Sequence, residues 1–238
     1  MKEVIELIGK FRKFSEKEID SAVKELANIK EEKNRKHLQR LVYVNVVNRF
    51  DVLLDNLLLI YATKDSGEFR NVVLDKVKDS NISLKDFYQI LLSDNSKLAV
   101  TEKIEDLVRL NFLRERHSKK LRMLLEVCLQ VDSSDLNRPR VNANDGRIHS
   151  TYTPRGNNVP PSIIGYADFL YSRRNGLVHG DGALLVLSSD AKFLEKNFKI
   201  KPAKMIGIKL SSIESATRFY NYLCDFIESG KWSQGRGF

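Results

Sequence analysis

The chain reads as a mainly helical bundle, and three observations point there. Long stretches place apolar residues three and four apart, as in Leu41, Val44, Leu53, Leu54, Leu57 and Leu58. Ser15 followed by Glu18, and Ser83 followed by Asp86, have the spacing of reciprocal helix caps. Gly180, Gly182 and Gly230 follow apolar-periodic runs, where glycine commonly ends a helix. Three parts are expected: an N-terminal helical extension over 1–33, a helical domain over 34–230, and a flexible tail over 231–238. A loop insertion at 132–161 interrupts the domain.

In order, residues 1–33 are rich in Lys and Glu, and Ala22, Val23, Leu26 and Ile29 form a thin apolar stripe after the Ser15 cap. The charge run Lys30 to Lys36 is a solvated face. Residues 38–62 are apolar almost all round, as in a buried helix, and form the expected central element. Asn48, Asp51 and Asp55 make one polar stripe along it, and buried polar groups need partners. A short helix over Phe69 to Val77, one from Ser83 to Leu92, one from Val100 to Arg116 and one after Ser118 follow. His37 and His117 lie among charged residues and read as surface histidines.

Residues 132–161 break the helical pattern with Asn, Asp, Ser, Pro and Arg. A loop of this length in a compact domain is usually functional or disordered. Arg140 and Arg155 in it are candidates for phosphate contacts, and Tyr152 for stacking on a base. The segment leads through Pro160 and Pro161 into a helix over Ser162 to Val178. Beyond it, Ala183 to Leu187, Phe198 to Lys201 and Met205 to Leu210 could be small strands flanking a helix at Asp190 to Lys196. Ser211 or Ser212 caps the last helix.

A chain of 238 residues is long enough to bury a substantial core. Its net charge of +9 favours a polyanionic partner. Cys128 and Cys224 sit in apolar helical contexts and read as reduced core residues. No Cys/His cluster has metal-ligand spacing, and no glycine-rich phosphate loop is present; no metal or cofactor is expected. Without an apolar signal segment or membrane span, the expectation is a soluble cytoplasmic protein with no membrane partner.

The chemistry concentrates in Arg174-Asn175-Gly176-Leu177-Val178-His179. Arg174 is permanently charged and can hold phosphate oxygens with paired hydrogen bonds. His179 can move a proton near neutral pH. Asn175 and His179 lie one helical turn apart, with Arg174 beside that face. Gly176 costs about 1 kcal/mol against alanine in a helix and allows close approach. Arg173 adds a second cation beside the site. An exposed arginine and a histidine bonded to its own helix end would give the same letters.

This stretch resembles the signature of the HEPN superfamily: Arg, four to six residues, then His, with a polar residue straight after the Arg. The flanking Arg173 to Gly180 is similar to the RiboL-PSP-HEPN-like branch. Asn48 to Leu58 resembles the family's early helix, which often presents an acidic residue near the motif. The resemblance implies an HEPN-like bundle and a homodimer in which two motifs form one cleft. It implies a metal-independent endoribonuclease acting on RNA, with Arg174, His179, Asn175 and an acid, Asp51 or secondarily Asp55, as catalytic residues. A toxin or defence effector with an operon-encoded antitoxin is one setting. The alternative is a non-catalytic nucleic-acid- or nucleotide-binding module that regulates a partner protein.

Overall fold

The computed structural model describes residues 2–63, 68–77, 83–154, 158–179, 187–201 and 207–232. The fold is all-α. Among the described residues, β structure is limited to two isolated bridges, Pro139 with Ser162 and Val141 with Ile148. No described helix is long and apolar enough to cross a membrane. Of the runs with strand-like patterning, 183–186 and 202–206 lie outside the described residues, and Phe198 ends a helix.

Backbone contacts divide the chain into two units, 1–53 with 132–238, and 54–131. The first unit begins with α1 (Lys2–Lys13), which runs through a π-helical stretch (Phe14–Ile19) into α2 (Asp20–Asn28). Ser15 therefore caps nothing. It is buried inside the continuous helix, donates to the Arg12 carbonyl at 2.9 Å and bonds Asn221. Its spacing to Glu18 mimics a helix start, but the apolar face continues through it via Phe11, Phe14 and Ile19, all buried. Arg12 pairs with Asp225 and Glu228, each at 2.6 Å, so the N-terminal helices are fastened to the last one.

The helix expected at 38–62 is α3 (Glu32–Thr63). Its stretch to Leu53 belongs to the first unit and the remainder to the second. Tyr43, Val46, Val47 and Phe50 are buried in the first, and Leu54, Leu57, Leu58 and Ala62 in the second. A helix that contributes to two cores has apolar residues on more than one side.

The first unit continues with α8 (Ser133–Asn137), α9 (Ile163–His179), α10 (Ser188–Phe198) and α11 (Leu210–Ser229). Phe50 stacks on Tyr220 at 4.1 Å between ring centres, and Tyr166 meets Phe219 edge-on at 4.8 Å. Gly230, with φ +69°, closes α11 as the sequence suggests. Cys224 is buried and Cys128 half-buried, and both are thiols outside any disulfide.

The second unit holds α4 (Glu68–Val77), α5 (Leu84–Leu91), α6 (Ser96–Asn111) and α7 (His117–Arg122), the last continuing as a π-helical stretch to Cys128. Ser83 caps α5 by accepting from the Asp86 amide at 3.1 Å, as its spacing predicts. His117 is completely buried, which corrects its reading as a surface histidine. Charge in the flanking sequence did not mean solvent here: Lys120, one turn on, is itself buried and pairs with Asp55.

Tyr43 and Tyr220 are fully buried in the first unit, and burial pushes both hydroxyls up, Tyr43 to about 12 and Tyr220 well above 10. Asp51 is among the charges that further disfavour ionising Tyr220, while Arg173 opposes the shift at Tyr43. In the unfolded chain a tyrosine ionises near pH 10. The folded state then holds these protons more tightly, so their contribution is intact below about pH 10 and lost as pH rises toward 12. Urea midpoints should fall steeply over that interval, with tyrosinate absorbance appearing together with unfolding. A midpoint independent of alkaline pH would contradict the burial of these rings.

Candidate functional site

The site is built where α9 lies along α3. Helix α9 starts at Ser162, whose hydroxyl accepts from the Gly165 amide at 3.1 Å. Its first three turns are buried through Ile163, Ile164, Ala167 and Leu170. The Tyr43 hydroxyl of α3 donates to the Leu170 carbonyl at 3.1 Å. One turn further, α9 emerges half-buried at Arg173, Arg174 and Asn175, and it ends at the exposed His179.

Arg174 is held by two carboxamides. Its Nε donates to Asn48 Oδ1 at 2.6 Å, and its Nη1 to Asn175 Oδ1 at 2.8 Å. The guanidinium also lies 5.6 Å from the Tyr171 ring centre. Both hydrogen-bond acceptors are neutral, and among the described residues no carboxylate forms an ion pair with it. A guanidinium fixed in this way keeps its full charge and most of its donors. The bond to Asn175 draws it toward the side of α9 that carries His179 one turn on.

Arg173 occupies the same stretch. It donates to the Gly207 carbonyl and lies 5.5 Å from the Tyr43 ring centre and 5.4 Å from that of Phe169. Gly176 is buried and His179 closes the helix. An anion at this helix end would meet two arginines, a carboxamide and an imidazole able to exchange a proton.

The polar stripe on α3 divides among several partners. Asn48 takes Arg174. Asp51, the first acidic candidate, is half-buried and acts electrostatically on Tyr220. Asp55, the second, accepts from the buried Lys120 at 2.6 Å inside the second unit. Asn48 is thus the partner of Arg174 that the sequence reading passed over. Its signal was present as the first member of the stripe, but the family resemblance directed the reading to an acid, Asp51 or secondarily Asp55.

The loop at 132–161 is largely folded, and its candidates separate from Arg174. Arg140 is only 3% exposed. Its Nε donates to the His149 carbonyl at 2.9 Å, and its guanidinium lies 4.7 Å from the Trp232 ring centre. Its backbone amide bonds Pro161, at the start of α9. Twelve residues of helix separate Ser162 from Arg174, a rise of about 18 Å. The expectation that Arg140 contacts phosphate is therefore corrected: it is a buried tie within the loop. Tyr152 is half-buried, with its ring stacked 5.8 Å from His149. Arg155 lies outside the described residues. The loop is further docked on α11, where Ser215 donates to the Asn144 carbonyl at 2.9 Å and Arg218 to that of Asp145 at 2.8 Å. Gly146, at φ +74°, passes so close that a Cβ there would stand 1.9 Å from the Ser215 oxygen.

Arg140→Ala should accordingly lower stability by about 1.5–3 kcal/mol, the usual worth of a hydrogen bond from a charged group. Urea denaturation would read it. A destabilisation below about 0.5 kcal/mol, as for an ordinary surface substitution, would return Arg140 to the surface.

No family model matches the chain, and neither a curated protein nor a solved structure is detectably similar to it.

Proposed function

We propose that the chain is an endoribonuclease of HEPN type that cleaves RNA without a metal ion. The observation that carries this reading is Arg174, fixed by neutral amides with its charge uncancelled, on the helix that ends in the exposed His179. Charge distribution adds support. The unit bearing the motif has 27 Lys and Arg against 19 Asp and Glu, whereas the other has 13 against 12. The basic surplus thus accompanies the site, where a polyanion would be drawn. Among the described residues, no three His, Cys, Asp or Glu side chains are grouped to hold a metal ion.

In this mechanism the ribose 2′-oxygen attacks phosphorus and the bond from phosphorus to the 5′-oxygen breaks. His179 accepts the 2′-hydroxyl proton, or delivers a proton to the leaving 5′-oxygen. Arg174 meets the charge that accumulates on the non-bridging oxygens, and Asn175 orients Arg174. The products carry a 2′,3′-cyclic phosphate and a 5′-hydroxyl. Arg174 and His179 are five residues apart, or about 140° around the helix axis. The homodimer rests on the family resemblance, which implies that two motifs share one cleft, and a separation of this size within one chain is compatible with it.

A second reading, a regulatory module bound to a partner protein such as an antitoxin, is favoured by α5. Leu84, Tyr88 and Leu91 lie along one face of this helix and are 83%, 62% and 61% exposed. Exposed apolar faces of this kind mark interaction sites.

Purified protein should cleave RNA in excess EDTA and leave cyclic-phosphate ends. Arg174→Ala and His179→Ala should each lose about 3–4 kcal/mol of transition-state stabilisation, a rate loss of several hundredfold, with helical circular dichroism unchanged. A substrate with 2′-deoxyribose at the cut should be inert. Near-normal cleavage by either variant would reject the assignment. So would cleavage that requires magnesium and leaves 5′-phosphates.

For the shared cleft, light scattering at micromolar concentration should give twice the chain mass. A monomer that still cleaves RNA would refute the composite site.

A further inference from the structure

We infer that Asn48 is a positioning residue that fixes Arg174 while leaving its charge free for one phosphodiester-type anion. The inference deepens the nuclease reading and rests on it for the cleavage arm of its test. Asn48 lies on α3, 126 residues from Arg174 in sequence, and its Oδ1 takes the guanidinium Nε at 2.6 Å. Asn175 Oδ1 takes Nη1 at 2.8 Å. A guanidinium has five N–H donors, so the two bonds leave three, including both on Nη2. The two donors on Nη2 carry no protein bond among the described residues, and a phosphate oxygen can take them as charge-assisted hydrogen bonds.

The identity of the acceptor matters more than its presence. An aspartate here would make a stronger, charge-assisted bond to Arg174 and would serve a purely structural purpose better. Acids do occur on the same stripe, at Asp51 and Asp55. The position that touches Arg174 holds the isosteric amide instead. A carboxylate would also cancel the guanidinium's charge and compete for the donors an incoming phosphate needs. The amide sets the geometry and leaves the cation unneutralised.

The test compares full-length wild type, Asn48→Ala, Asn48→Asp and Arg174→Ala. Binding is measured with a short fluorescein-labelled all-2′-deoxy oligonucleotide, which 2′-hydroxyl attack cannot cut, across a salt series. Cleavage of the matching RNA is measured in EDTA. Arg174→Ala should reduce the slope of log affinity against log salt by about one, as for loss of one phosphate contact. Asn48→Asp should do the same and lose cleavage as severely, even though its thermal midpoint equals or exceeds that of wild type. Asn48→Ala should keep the salt slope and KM near wild type while kcat falls at least about tenfold, because the cation remains but is no longer aimed.

Asn48→Asp with wild-type slope and cleavage would overturn the inference. Equal impairment of Asn48→Ala and Asn48→Asp, tracking lost thermal stability, would also overturn it and leave Asn48 a packing residue. If wild type cleaves no RNA but the slopes follow the expected order, the nuclease reading fails and the neutral clamp stands. A wild-type salt slope unaffected by Arg174→Ala would remove the anion site itself.

Discussion

Arg174 is half-buried, and both of its protein hydrogen bonds go to neutral amide oxygens, with no carboxylate among the described residues paired with it. That condition depends on the register of α3 against α9. The two helices are tied twice, Tyr43 to the Leu170 carbonyl and Arg174 to Asn48. Five residues separate the ties on α3 and four on α9, about 7.5 and 6 Å of rise, so the helices run the same way here at matched spacing. Two ties fix both the slide and the rotation of α9. Phe50, two turns on from Tyr43 on the same face of α3, is held by the aromatic core, with Phe11 edge-on at 5.5 Å and Tyr220 stacked at 4.1 Å. The N-terminal helices, read from sequence as an extension, contribute to that support through Phe11 and Arg12.

The loop before α9 shows how composition and structure part company. Its many Asn, Asp, Gly and Arg residues suggest a polar excursion open to ligands. The same residues serve short-range backbone needs. Asp132 caps α8 by accepting from the Ser134 amide, and Asn142 and Asp145 accept from amides two residues ahead. Arg140 spans the loop from inside. Its hydrogen bond to the His149 carbonyl and its packing on Trp232 take the guanidinium out of solvent, and this is why an arginine there is not evidence of a phosphate site.

Much of the helical fold was legible because it follows from periodicity and caps. Ser83, Gly230 and the apolar run of α3 are local signals with local causes. The errors arose where a local signal has two meanings. Ser15 has cap spacing yet lies within a continuous helix, because the buried face of α1 extends past it. His117 has polar neighbours yet is buried, and Lys120, one turn on, is buried as well. Arg174 and His179 stood out as a pair, but which residue on α3 meets Arg174 could not be read. That choice depends on the axial offset between two helices more than a hundred residues apart, and a shift of one turn would exchange Asn48 for Asp51.

The division of the polar stripe gives that offset chemical weight. Asn48, Asp51 and Asp55 span about 10 Å of one helix face, yet they meet different environments. Asp55 is used against the buried Lys120, where a full negative charge is needed to offset a buried ammonium. Asp51 acts electrostatically on Tyr220, whose hydroxyl burial keeps protonated. Asn48 alone of the three is uncharged, and it is the one in contact with Arg174. Asp55 is thus placed where a buried cation must be balanced, and Asn48 where the half-buried Arg174 is held by neutral oxygens.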